Sequence, residues 1–237
     1  MFRIRLDLRR SRALALICCL AAPLCQAQER PVPAGADPEL RGGLADKAVV
    51  GELPDIPEEV SQKVALAFSK KDWKTARKLY EEILAIAPEN ALALANIGIV
   101  SFQMDDYKAA QAYLEKAVAK NPKLTQARIT LGMAYFYQDD LYLAISHLTR
   151  VLNDDPKNSR AHLYLAVVAQ MAGWGNAAED ELRKAIAIDP KYAEAHFNLA
   201  LVYLEQQPPA IELAKRHYYQ ALDLGAKPDK KIVEQLK

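Results

Sequence analysis

Cysteine is scarce in this sequence and confined to its start. The only three cysteines among 237 residues are Cys18, Cys19 and Cys25. If the first 27 residues are removed on export, the remaining chain can form neither a disulfide nor a cysteine-bound metal site. Disulfide bonds and cysteine-bound metal sites are therefore excluded for a protein from which residues 1–27 have been cleaved.

An excess of one charge is also missing. The chain has 31 Lys and Arg against 30 Asp and Glu, a net charge of +1. Residues 1–27 hold five Arg and one Asp, so without them the balance is 26 against 29, a net charge of −3. Nucleic-acid binding depends on clustered positive charge. We therefore expect no nucleic-acid partner.

Recognisable catalytic patterns are missing as well. The sequence has no glycine-rich phosphate loop, no two histidines one helical turn apart, and no Ser or Cys nucleophile in a known setting. His162 and His196 lie 34 residues apart, but no third ligand accompanies them, so packing is the better interpretation. His147 and His217 have no evident partner. We expect no enzyme activity, no cofactor and no metal site.

Residues 1–27 have the pattern of a signal peptide. Arg3 to Arg12 form a basic leader, Ala13 to Leu24 an apolar run, and small residues at Cys25 and Ala27 fit a cleavage site. The run is shorter than the roughly 20 residues of a membrane span, which argues against an uncleaved anchor. The residues before Cys25 fit lipidation poorly. The predicted location is exported, periplasmic or secreted, with no membrane span after cleavage.

Residues 28–56 are rich in proline and glycine and show no sustained helical or strand period. Such a composition predicts a flexible arm. A short apolar pattern from Leu40 to Ile56 could dock elsewhere, although a solvated linker is the favoured interpretation.

A period of 34 residues organises the rest of the chain. Prolines mark it, small residues lie twelve positions before each proline, and large residues lie eight before it. The three sets are Pro88, Pro122, Pro156 and Pro190; Ala76, Ala110, Ala144 and Ala178; and Tyr80, Leu114, Leu148 and Leu182. Gly98 and Gly132 recur in the first half of two periods. A fixed period of this length indicates a repeat architecture, and this one resembles the tetratricopeptide repeat.

That resemblance implies an all-α, right-handed superhelical solenoid of five helix pairs with a C-terminal capping helix. We number the repeats 1 to 5, and the cap occupies residues 228–237. The solenoid covers residues 57–227, divided into 57–90, 91–124, 125–158, 159–192 and 193–227. The acidic pairs Asp105 with Asp106 and Asp139 with Asp140 fall between paired helices, where they are expected to cap the second helix. The fifth pair has two additional residues in its turn.

The resemblance also implies that the first helix of each pair lines a concave groove. Here that face is apolar, and its predicted partner contacts are Phe68, Ile99, Phe102, Ile129, Met133, Phe136, Leu163, Val167, Met171, Phe197 and Leu201. Related domains that bind acidic tails carry Lys, Arg or Asn where this chain has Ile99, Met133 and Val167. An acidic ligand is therefore not expected.

The function predicted from this groove is a non-catalytic protein–protein interaction scaffold in the periplasm or cell envelope, binding a peptide or helix. Two alternatives stay open. The groove could be filled by the chain's own N-terminal arm or by a second copy, giving a homodimer or larger self-assembly. Some of the same side chains could instead be ordinary core.

Overall fold

The computed structural model describes residues 56–237, which form eleven helices and no strand. The predicted all-α solenoid is confirmed, whereas the predicted signal peptide and residues 28–55 of the arm lie outside the described residues. The helices are α1 (Glu58–Ser69), α2 (Trp73–Ile86), α3 (Ala91–Gln103), α4 (Tyr107–Lys120), α5 (Thr125–Phe136), α6 (Leu141–Asp154), α7 (Ser159–Met171), α8 (Gly175–Ile188), α9 (Ala193–Glu205), α10 (Ile211–Asp223) and α11 (Lys230–Gln235).

Aspartates begin the second helices of repeats 1 to 3, as the sequence predicts. Asp72, Asp106 and Asp140 each accept a hydrogen bond from the backbone N–H three residues later, at 3.0 to 3.1 Å. Each bond satisfies a donor that the first helical turn leaves unpaired. The acidic residues are thus structural caps.

The residue just before each cap has a left-handed backbone. Lys71, Asp105, Asp139 and Gly173 have φ between 55° and 79° and lie 34 residues apart. Only glycine adopts this conformation without a steric cost, and aspartate tolerates it better than most residues. Asp105 and Asp139 therefore close the turn, while the second aspartate of each pair caps the helix.

Small and large side chains alternate where paired helices meet. The four predicted alanines and the four large residues that follow them are buried. A Cβ added to Gly98 would lie 2.5 Å from Cγ of Leu114, which is closer than atoms pack. At Gly132 the corresponding distance to Leu148 is 3.1 Å. Glycine is needed more strictly in repeat 2 than in repeat 3.

The fifth repeat keeps the pattern despite its longer turn. Ala214 and Ala221 are fully buried on α10, at the places expected after a two-residue insertion, and the Gln207–Pro208 bond in the turn is cis. The short α11 then covers the last pair with Ile232 and Leu236. Val233, which follows Ile232, is 38% exposed because it points away from the face that those two residues bury.

First helices line the inner side of the curved stack. Besides packing with their neighbours in sequence, α3, α5, α7 and α9 contact one another in succession. Within residues 56–237, successive second helices show no comparable packing. Because the first helices pack more closely against one another than the second helices do, the stack curves and the first helices lie on its inner side.

Candidate functional site

The inner face is less accessible than the sequence suggests. Nine of the eleven predicted groove residues are between 0 and 9% exposed and belong to one continuous hydrophobic cluster. The nine are Phe68, Ile99, Phe102, Ile129, Met133, Phe136, Leu163, Val167 and Leu201. The expectation that these side chains form an open groove is therefore wrong, because they pack into the helix stack.

Accessible apolar surface on this face lies near the C-terminal end. Met171 and Phe197 are partly exposed, as is Leu204 two turns further along α9. A cleft of about 510 Å³ lies between α9 and α11, where Leu201 and Leu204 meet Ile232 of the cap. The charged residues Glu205, Asp229 and Lys231 also line this cleft. The accessible part of the predicted groove is thus limited to this cleft between repeat 5 and the cap, together with Met171 and Phe197.

A second feature recurs in repeats 3 to 5, on the side of each pair that faces the preceding repeat. The fourth residue of each repeat donates a hydrogen bond to the carbonyl oxygen of the proline that ends the repeat before it. The three bonds run from Arg128 Nη2 to Pro122 O, from His162 Nε2 to Pro156 O and from His196 Nε2 to Pro190 O, each at 3.1 Å. This bond ties each first helix to the preceding turn.

In repeat 4 the other side of the histidine meets a carboxylate. His162 Nδ1 lies 2.5 Å from Glu181 Oε2, and Lys184 Nζ lies 2.7 Å from the other oxygen of Glu181. The two ring nitrogens of His162 both face acceptors, Nδ1 the carboxylate of Glu181 and Nε2 the carbonyl oxygen of Pro156. Burial raises the pKa of Glu181, but hydrogen bonds from Lys184 and His162 outweigh it and hold that pKa below its usual value. The result is a partly buried hydrogen-bonded cluster around a charged carboxylate.

In repeat 5 the equivalent histidine meets another histidine. His196 Nδ1 lies 3.0 Å from His217 Nδ1, and the two rings are inclined by 25°. Burial lowers the pKa of His217 to about 4, with further contributions from His196 and two nearby arginines. His196 Nε2 donates to Pro190 O, and one hydrogen bond joins the two facing Nδ1 atoms.

Repeat 3 has a different pair of side chains, Arg128 and His147, at the equivalent positions. Arg128 replaces the first histidine, and His147 occupies the position of Glu181 and His217. His147 stacks on Tyr135 with ring centroids 5.3 Å apart. Burial, followed by the charge of Arg128, lowers the pKa of His147. Its Nδ1 is buried and has no hydrogen-bond partner in the part of the chain that the structure describes.

Sequence models of known families match two parts of the chain. A tetratricopeptide-repeat model matches residues 64–134, and a second model, described as a TPR repeat, matches residues 176–207. The chain is a tetratricopeptide-repeat (TPR) protein. No curated protein matches it.

Solved structures of TPR proteins share this fold. A crystal structure of MamA is 24% identical, has a TM-score of 0.59 and covers 68% of this chain and 93% of its own. MamA from Desulfovibrio magneticus RS-1, from residue 41 to its end, is 17% identical with a TM-score of 0.63, covering 73% and 97%. TTC0263, a thermophilic TPR protein of Thermus thermophilus, is 20% identical with a TM-score of 0.62, covering 76% and 96%. At these identities the likeness concerns the fold alone.

A TPR stack fits a protein-interaction scaffold, and TPR domains are in general not enzymes. Within residues 56–237, no three His, Cys, Asp or Glu side chains gather closely enough to hold a metal ion. None of the helices in that range has the length and apolar character needed to cross a membrane. The features of this TPR protein that a partner could contact are the cleft between α9 and α11 and the polar side-chain pairs of repeats 4 and 5.

Sequence reasoning missed the partner of His217. The spacing of 34 relates His196 only to His162, one repeat away, but the structure pairs each of them with a residue on the following second helix. The signal was present, because His147, Glu181 and His217 occupy equivalent positions once the two added residues of the fifth turn are counted. That insertion hides the equivalence in the simple period of 34.

Proposed function

We propose that this TPR protein is an exported, non-catalytic scaffold that binds an apolar segment of a protein partner at the C-terminal end of its inner face. The observation that carries the proposal is the cleft between α9 and α11, because Leu204 stays partly exposed there, on a face where nine of the eleven predicted groove residues are buried. Export is supported by the composition of residues 1–27.

The cleft suits a few anchoring side chains more than a long groove-filling helix. Its floor includes Leu201 and Leu204, while Glu205, Asp229 and Lys231 stand around the opening. Each apolar side chain buried there would contribute about 1.5 to 3 kcal/mol if fully desolvated. Charges at the opening would fix the orientation of the bound segment and add little affinity. A short helix or turn bearing two or three apolar residues fits this description.

Capture from a cell-envelope extract tests the site. Immobilised protein is compared with its Leu204→Glu variant, and bound proteins are identified by mass spectrometry. We expect the variant to lose the partner, because a carboxylate in the cleft costs the desolvation of its charge. Circular dichroism should show unchanged helix content, since Leu204 is already partly exposed.

Leu213→Glu is the matched control. Leu213 lies on α10, is 41% exposed and does not line the cleft, so the same substitution there should leave capture intact. Equal capture by all three proteins would contradict binding at the cleft. If the protein retains only copies of itself and light scattering shows concentration-dependent mass, self-assembly replaces an external partner.

Export has a separate test. The protein isolated from cells should begin at Gln28 and be released with the periplasmic or secreted fraction. Intact mass spectrometry decides the first point and fractionation the second. A chain that keeps Met1 and stays in the cytosolic fraction would contradict export without affecting the assignment of the cleft.

A further inference from the structure

Two imidazole nitrogens face each other in repeat 5. His196 on α9 and His217 on α10 bring their Nδ1 atoms to 3.0 Å. Nitrogens that bind one metal ion at about 2.0 to 2.1 Å lie about 2.9 to 3.4 Å apart when the angle at the metal is between about 90° and 109°. The observed separation falls in that interval, so the helices need not move, and an ion is bound once the ring of His217 turns so that both lone pairs converge on it.

His196 shares one feature with metal-binding histidines. Its Nε2 donates to Pro190 O at 3.1 Å, so in the neutral ring the lone pair is on Nδ1, the nitrogen nearest to His217. Metal-binding histidines commonly donate their other ring N–H to a carbonyl or carboxylate, and this bond fixes the tautomer. His217 is partly exposed, so its ring can rotate and its proton can move from Nδ1 to Nε2 by exchange with water.

The positive charges near His196 and His217 do not prevent a cation from binding. Arg183 forms an ion pair with Glu179 at 2.7 Å and is 60% exposed, and Arg216 on α10 is exposed. The repulsion that these two groups exert on a metal ion is therefore partly offset and partly screened by solvent. Tyr203 bonds to Glu179 and Arg183 through its hydroxyl, so water would complete the coordination.

The geometry points to His196 and His217 as a two-histidine site for a divalent transition-metal ion. Imidazole ligands suit Cu²⁺, Ni²⁺ and Zn²⁺, and among these Cu²⁺ binds a given nitrogen site most tightly. Repeats 3 and 4 lack the arrangement, because Arg128 and Glu181 replace one histidine of the pair in each. The site belongs to the fifth repeat and is independent of the cleft between α9 and α11.

Titration of the untagged protein with Cu²⁺, followed by calorimetry and electron paramagnetic resonance, tests the site. We expect one ion per chain at this site, with a spectrum showing coupling to two nitrogens, and weaker binding of Ni²⁺ and Zn²⁺. His217→Gln and His196→Gln should each reduce Cu²⁺ affinity at least tenfold. His217 is the more informative position, because its partial exposure makes a folding defect less of a concern.

His147→Gln is the matched control and should keep the wild-type affinity and spectrum. Copper should also raise the melting temperature of the wild-type protein and not that of His217→Gln, because a ligand of the native state stabilises it. Equal affinity in the wild type and in both His196→Gln and His217→Gln would overturn the site. So would a wild-type spectrum with one nitrogen or none, or the absence of saturable binding.

Discussion

Repeats 4 and 5 hold the same histidine against the same proline carbonyl and give it opposite neighbours. His162 faces the carboxylate of Glu181, whereas His196 faces the imidazole of His217. The backbone arrangement is common to both, so the residue on the second helix alone decides the chemistry. The TPR backbone thus fixes the position of the polar pair, and the residue on the second helix determines whether the pair contains a carboxylate or a second imidazole.

The two pairs should contribute differently to stability. In repeat 4 the partly buried carboxylate of Glu181 is hydrogen-bonded to the ring of His162 and to Lys184. In repeat 5 two imidazole rings share one hydrogen bond. A buried charge that loses its partner is costly, while a neutral pair loses little when one member changes. Substitutions at the second-helix position should therefore have unequal effects.

The largest effect is expected for Glu181→Ala. This change leaves His162 Nδ1 without an acceptor on a side chain that is 9% exposed. We expect a loss of about 2 to 3 kcal/mol in the free energy of unfolding near pH 7, measured by urea denaturation. Hydrogen exchange should show the loss concentrated in α7 and α8, because repeat proteins unfold locally.

Glu212→Ala controls for the loss of a surface carboxylate. Glu212 bonds to Lys215 but is 87% exposed, so its removal should not change stability measurably. The pKa of Glu181 lies below its ordinary value of 4.5. Its contribution is therefore fully present above pH 4.5 and is lost as the pH falls through and below that value. A Glu181→Ala defect that is unchanged at pH 3 would contradict the ion pair.

A smaller effect of opposite sign is expected for His217→Glu, which gives repeat 5 the pair of repeat 4. The new carboxylate would face His196 Nδ1, and the arginines that disfavour positive charge at this position would favour a negative one. We expect about 1 kcal/mol of stabilisation near pH 7, seen as a higher melting temperature. Unchanged or lower stability would mean that the longer fifth turn alters the geometry of the pair.

Much of this fold follows from the sequence because its signals are local or periodic. The prolines end helices, the aspartates cap them, and Ala76 or Ala110 must be small where paired helices meet. The burial of Ile99 and Met133 could not be predicted in this way, since a residue on the inner face of a first helix also packs against the next first helix. Whether such a side chain is open depends on how closely the repeats stack.

The pairing of His217 is a different kind of omission. Its register depends on the two residues added in the fifth turn, and its equivalence to His147 and Glu181 appears only when that insertion is counted. His162 and His196 could be recognised as equivalent from their spacing of 34. Their partners lie on another helix, so the chemistry of each pair depended on tertiary structure.

The smallest effect is expected in repeat 3, where His147 faces Arg128 and has no ionic or imidazole partner among the described residues. Burial and Arg128 lower the pKa of His147 below its ordinary value of 6.5, so the folded state holds the ring neutral while the unfolded chain takes up a proton. Stability should therefore fall as the pH drops through 6.5, by less than about 1 kcal/mol because the ring is only partly buried. His147→Gln removes the titrating group, and its free energy of unfolding should vary less than that of the wild type between pH 7.5 and 5.5. Equal slopes for the two proteins would show that the acid sensitivity arises elsewhere, and that in repeat 3 the stacking of His147 on Tyr135, not its charge state, is what the position contributes.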